Sequence, residues 1–318
     1  MKILRQLLLA AAGGFKTVIG GQALIEGIMM LGPDKRSIVV RKPDGELEVK
    51  TEPRKALKDK YPILGLPLIR GVVSFGSSLY NGMNALMYSA EFYPDDEEEE
   101  GSGEGEGLSG GLIALTMLLS VCFAVGLFIL LPTALGGVVA RLIPGLPVWG
   151  RNLAEGIFKV VIFLAYLMLC SRMKDIHRTF QYHGAEHKTI FCYEKGLPLT
   201  VENVRAQPKH HPRCGTSFLF VVIVISILVS SVVFSFVEVE NTFARMGAHL
   251  LMLPFIVAVT YEINRYVGGH DGTLCRAVRA PGMALQRWTT FEPDDTMIEV
   301  GIKAFTEVLP EEEGADRW

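Results

Sequence analysis

The 318-residue chain has no Cys-x-x-Cys pair, and its cysteines number five. An odd count without paired spacing argues against a disulfide framework. Cys122 and Cys170 lie inside apolar runs, where a thiol acts as a small hydrophobe. Zinc-finger spacing is missing, and so is a basic stripe interleaved with aromatics, so nucleic-acid binding has no support. There is no Walker motif and no Rossmann fingerprint, which leaves nucleotide chemistry without its usual phosphate cradle. Charge is also scarce where it would matter for a soluble fold. The chain is 20% charged with a net charge of −3, but the charges are sorted by region. Long blocks after Gly107 carry almost none.

Those blocks are the strongest signal present. Four are long enough to cross a bilayer, which takes about 20 apolar residues. They are LIALTMLLSVCFAVGLFILL (112–131), which Pro132 should stop, LAEGIFKVVIFLAYLMLCS (153–171), SFLFVVIVISILVSSVVFSFV (217–237), and the run from Phe243 to Tyr261. Glu155 and Lys159 make the outer end of the second polar. The fourth contains His249 and Pro254, and an ionisable residue inside a span points to function by default.

Lys and Arg set the orientation. The segment between spans two and three (172–214) carries Arg172, Lys174, Arg178, Lys188, Lys195, Arg205, Lys209 and Arg213. The segment between spans three and four has only Glu238 and Glu240, and that between one and two only Arg141 and Arg151. Arg265, Arg276, Arg279 and Arg287 follow span four. This alternation predicts a multi-pass plasma-membrane protein with both termini and the long middle segment in the cytoplasm.

The expected fold is a mainly α membrane protein with about four transmembrane helices. It adds a small N-terminal α+β cytoplasmic region and a cytoplasmic C-terminal helical segment. Residues 1–93 hold the N-terminal region and 94–107 an acidic, Gly-rich linker too polar to form a core. Residues 108–264 hold the bundle, with its cytoplasmic loop at 172–214, and 265–318 the C-terminal helices. MKILRQLLLAAA reads as a short amphipathic lead-in on the membrane. SIVVRKPDGELEVK has two β-rich runs around Pro-Asp-Gly, a hairpin signal, and IEGIMML adds a third strand. Residues 61–92 read as an amphipathic helix at the interface or packed on the bundle, with a re-entrant segment as the rival. PDDTMIEVGIKAF starts a surface helix with one buried face.

The chemistry-bearing phrase is FQYHGAEHKTIF, residues 180–191. On a helix, His183, Glu186 and His187 share one face, since residues four apart differ by about 40°. Two imidazoles at this spacing can grip one metal ion, and the carboxylate between them can serve as general base. Topology brings further donors to the same membrane face. His210, His211 and Cys214 precede span three, and Glu262 follows span four. The third ligand is Glu262, Cys214, or one of the paired histidines. Each also has a plain reading: loop polarity for His210 and His211, a buried thiol for Cys214, an ion pair with Arg265 for Glu262. A His/Cys/Glu set favours zinc over harder ions.

Several phrases occur together: GGQALIEGIMMLGP (20–33), IRGVVSFGSSL, FQYHGAEHKTIFCYE, HPRCGTSFL, YEINR, APGMALQRWTT and FEPDDTMIEV. In this order they resemble the YqhQ-like family of bacterial membrane proteins, over nearly the whole chain. The resemblance implies a domain of unknown function described at most as a predicted metal-dependent enzyme. It brings no catalytic residues with it.

Two readings stand side by side. One is a zinc-dependent hydrolase at the cytoplasmic membrane interface, with Glu186 activating water. The other is a non-catalytic membrane scaffold or assembly partner with a structural His/Cys/Glu site. Partners are then the bilayer and, for the scaffold, a membrane protein or a second copy. A structural site is closed by four protein ligands, and a catalytic one leaves a position open.

Overall fold

The computed structural model describes residues 15–54, 61–93, 110–237, 239, 241–312 and 314–317. The N-terminal lead-in, the acidic run 94–107 and the pair Glu238 and Glu240 lie outside the described residues.

Four short strands form an antiparallel meander in the order β1-β2-β3-β4. They are β1 Gly20–Leu24, β2 Gly27–Leu31, β3 Lys35–Arg41 and β4 Leu47–Pro53. The predicted hairpin is β3–β4, and its turn closes with Gly45 at φ 88°, a left-handed conformation that glycine takes without cost. IEGIMML supplies β2. Strand β1 was not anticipated, because GGQAL holds two glycines and few β-formers.

Side chains alternate across this sheet as a period of two demands. Ile28, Met30 and Val39 go to one face, and Met29, Ile38 and Val40 to the other. The first face is covered by two helices from far along the chain, α5 (Lys174–Glu194) and α10 (Asp295–Glu307). Tyr182, Ala185, Met297, Val300, Ala304 and Phe305 fill that core. The second face meets the last turns of α1 (Ile69–Ala90) through Ala85, Leu86 and Tyr88. The predicted C-terminal helix therefore buries its apolar face as the inner layer over the sheet.

The membrane part consists of four helices long and apolar enough to cross a bilayer. The first is built from α2 (Gly110–Val125), a π-helical stretch (Gly126–Leu130) and α3 (Leu131–Leu142). The others are α4 (Val148–Cys170), α7 (Gly215–Phe236) and α8 (Thr242–Gly269). Large apolar side chains such as Leu118, Phe123, Leu228 and Phe255 stay exposed, as a surface facing lipid requires. The chain is thus a mainly helical membrane protein. Pro132 does not end the first span, contrary to expectation. It sits in the first turn of α3, just after the wider π turn, where a missing N–H costs nothing.

Among the described residues, three further α-helices join these: the short α6 (Val201–Arg205), α9 (Thr273–Thr289) along α7, and α1, which bridges bundle and sheet. Helix α1 packs on α8 rather than standing alone, and Phe75 meets Phe218 of α7 with ring centroids 5.9 Å apart.

The interior of the bundle holds a polar knot. Arg245 donates from Nε to Glu155 Oε1 at 2.7 Å and from Nη2 to Asn152. His249 Nε2 lies 3.2 Å from Glu155 Oε2, and Arg151 Nε donates to Glu155 Oε1 at 3.1 Å. Arg245 also stacks over Phe234, 3.8 Å from the ring centre. The knot ties α4, α7 and α8, and gives Glu155, Arg245 and His249 partners inside these spans.

Candidate metal centre

Helix α5 runs unbroken through the motif, and every residue from Tyr182 to Ile190 is buried. Gly184 allows this. A Cβ there would stand 2.0 Å from the Phe291 carbonyl oxygen, so the chain entering α10 passes directly over the helix backbone. The residue that weakens the helix on paper is what lets it seat.

His183 and His187 project from one face, with ring centroids 4.3 Å apart. Each presents Nδ1 to a backbone carbonyl. His183 Nδ1 lies 2.7 Å from Thr289 O, and His187 Nδ1 lies 2.5 Å from Lys209 O. A carbonyl only accepts, so both Nδ1 atoms carry the proton and both Nε2 atoms present a lone pair. His183 Nε2 is 3.1 Å from Cys214 Sγ. His187 Nε2 is buried and makes no hydrogen bond among the described residues. Leaving such a group unsatisfied costs about 1–3 kcal/mol. Donor atoms of His183, His187 and Cys214 all lie within 4.8 Å of one another. A tetrahedral ion with bonds of about 2.0–2.3 Å sets its donors about 3.5 Å apart, which this group meets with small side-chain adjustments. The residues therefore fit a metal ion: two oriented imidazoles, a thiol, and an orphaned lone pair.

Cys214 caps the head of α7, its Sγ accepting from Thr216 N at 3.4 Å. Its Sγ also lies 3.2 Å from Thr216 Oγ1. Burial pushes His187 down to about 4, so its neutral, metal-ready form prevails near neutral pH.

Glu186 lies on the same helix, buried, and accepts a hydrogen bond from Gly21 N at 3.0 Å. Burial pushes its carboxyl up to about 7, with His183 pulling down and Cys214 pushing up. A cavity of about 130 Å³ is lined by Glu186, His187 and Cys214 together with Gly21, His211 and Arg213. The Glu186 carboxylate thus shares one cavity with two of the three donors, His187 and Cys214.

The structure separates the other candidates from this group. Glu262 is a correction. Its carboxylate pairs with Arg70 of α1, Nε to Oε1 at 2.8 Å and Nη2 to Oε2 at 2.5 Å, and also accepts from Leu68 N at 3.1 Å. It fastens α1 to α8, and its partner is Arg70, not Arg265. His211 stands near, its ring 5.6 Å from that of His187, but it faces Glu194, with Nε2 3.6 Å from Oε2. Gln286 holds its backbone at both N and O. His210 lines a different concavity. Sequence reading missed Glu194 and Arg213, which pair beneath His211, and Arg245 in the bundle. Arg245 and His249, four apart in an apolar run, were a readable signal for the knot.

The phrases on α1, α5, α8, α9 and α10 now have places in one structure. The family model for proteins of unknown function DUF1385 matches residues 66–311. The chain belongs to DUF1385. The uncharacterized protein YqhQ of Bacillus subtilis (strain 168) is 33% identical over 301 residues, covering 91% of this chain and 92% of the relative. No solved structure matches. The DUF1385 description names no activity.

Proposed function

We propose that this DUF1385 protein is a zinc-dependent hydrolase of the cytoplasmic membrane, working at its inner interface. The observation that carries the reading is the orphaned, buried Nε2 of His187 beside His183 Nε2 and Cys214 Sγ. His183, His187 and Cys214 would hold the ion, and the thiol among two imidazoles favours zinc. Zinc in such a set makes hydroxide available near neutral pH and polarises a carbonyl.

The protein's own groups have matching roles. The Nδ1 hydrogen bonds to Thr289 and Lys209 keep both imidazoles in one tautomer and orientation. Glu186, pushed up to about 7 by burial, is poised to take a proton from water and return it to a leaving group. Arg213 lines the same cavity as a fixed cation, suited to a developing oxyanion. Three protein donors with His211 held by Glu194 leave a position open, which favours catalysis over a purely structural site. The site sits at the head of α7, so its substrate is a membrane peptide or a lipid-linked ester or amide. The Lys and Arg distribution puts this end, and both termini, in the cytoplasm.

The test is a pair of variants in lipid nanodiscs, with zinc read by mass spectrometry and products read from a membrane lipid and peptide extract. His187→Ala should lose zinc and product together. Glu186→Gln should keep zinc and lose at least a hundred-fold in product formation, the scale of a general base. Undiminished turnover in Glu186→Gln would overturn the assignment.

A further inference from the structure

The segment 209–214 and the C-terminal end of α9 both border the histidine cluster. The same two elements also line an open groove of about 540 Å³. Its walls carry His210, Arg276, Arg279 and Arg287, with Met283 and Ala284 between them. Arg276 and Arg287 are eleven residues apart on α9, about three turns or 16 Å. Cations therefore flank an apolar floor on one face of an interfacial helix.

Among the described residues the charge is only partly compensated. Asp271, exposed beside the groove, is shared by Arg279 at 3.1 Å and Lys16 at 2.6 Å. Arg279 is further used by the carbonyls of Cys275 and His270. Arg276 and Arg287 are exposed and carry no ion pair among the described residues. Glu292 is taken by Lys188 and Lys209. His210 Nε2 is buried and has no hydrogen-bond partner among the described residues. The groove thus has two free guanidinium groups, an unused ring nitrogen and a strip of aliphatic surface.

Its position selects the ligand. Helix α9 follows directly on the end of α8 and packs along α7, whose head is at Gly215. The groove therefore lies where two helices long and apolar enough to cross a membrane end. We propose that it binds the phosphate headgroup of an anionic phospholipid. Guanidinium forks match phosphate oxygens geometrically, and the Met283–Ala284 strip accepts the first carbons of the lipid. Basic pockets at helix ends are suited to this chemistry.

The experiment measures lipid retention by native mass spectrometry of the full chain from nanodiscs of phosphatidylglycerol and phosphatidylcholine. Wild type should keep phosphatidylglycerol selectively. Arg276→Gln/Arg287→Gln should reduce that retention on the order of ten-fold or more, with thermal stability and zinc content unchanged. A control, Arg172→Gln/Lys174→Gln, removes the same charge elsewhere at the membrane end and should leave retention intact. Equal losses in both variants would reduce the effect to general leaflet attraction and overturn the proposal. Equal retention of the two lipids by wild type would also overturn it. Protein lacking zinc yet keeping the selective lipid would sink the hydrolase reading alone.

Discussion

A hydrogen bond from Nδ1 to a carbonyl decides what each motif histidine can do. It leaves Nε2 of both His183 and His187 turned away from that carbonyl, and the one on His187 makes no hydrogen bond among the described residues. Gly184 shows the same dependence on surroundings. Alanine is worth about 1 kcal/mol more than glycine inside a helix. Gly184→Ala should nevertheless lower stability by about 1–3 kcal/mol, because its Cβ would strike the Phe291 carbonyl. A thermal melt of the variant checks this, and a stabilised protein would contradict the packing. Glu194 gives a pH signature. Burial alone would raise its carboxyl, but His211 and Arg213 hold it below the usual range. Its stabilisation is complete above the unfolded value of about 4.3 and is lost as pH falls through the lower folded value. Glu194→Gln should therefore be less stable than wild type near neutral pH, with the gap closing below about pH 4 in pH-dependent melts. The spacing of His183, Glu186 and His187 could be read from sequence. The carbonyls of Thr289 and Lys209 could not, because backbone partners leave no mark in residue type.

Among the elements, the membrane helices were legible because a run of apolar residues has few other uses. Their ends were less so. Pro132 breaks a helix only if its missing N–H is needed, and the π turn before it removes that need. The sheet was partly legible: Pro-Asp-Gly marked the β3–β4 turn, while β1 hid behind two glycines. Its covering helices were not, since nothing local says that residues 174–194 and 295–307 meet strands near the N-terminus. The polar knot belongs at this scale. Removing one partner strands the others in the bundle, so Arg245→Met should cost about 3–5 kcal/mol. Detergent melts would show a large loss of stability, whereas a silent variant would mean that Glu155 finds another partner. Glu262 acts similarly at the interface, where Arg70→Gln should loosen α1 from α8 without touching zinc content.

For the whole molecule, the sheet with α5 and α10 holds one wall of the site, and the head of α7 with the C-terminal end of α9 holds the other. His183 and His187 on the sheet-covering helix α5 therefore meet Cys214 at the end of a bundle helix. The sequence suggested this meeting from topology, and correctly brought Cys214 to the histidines. It also brought Glu262 to the same end of the bundle, but could not foresee that Arg70 would claim it from an intervening helix. The orientation proposal is open to a labelling check. A cysteine placed at Pro144 should react with a membrane-impermeant thiol reagent in intact cells, and one at Pro198 should not. The central claim is a three-donor site with an open position. Zinc X-ray absorption on the purified protein tests it most directly. The prediction is one zinc per chain with two nitrogen, one sulfur and one oxygen donor, the sulfur lost in Cys214→Ser. A metal-free protein, or zinc closed by four protein nitrogen and sulfur donors, would contradict it.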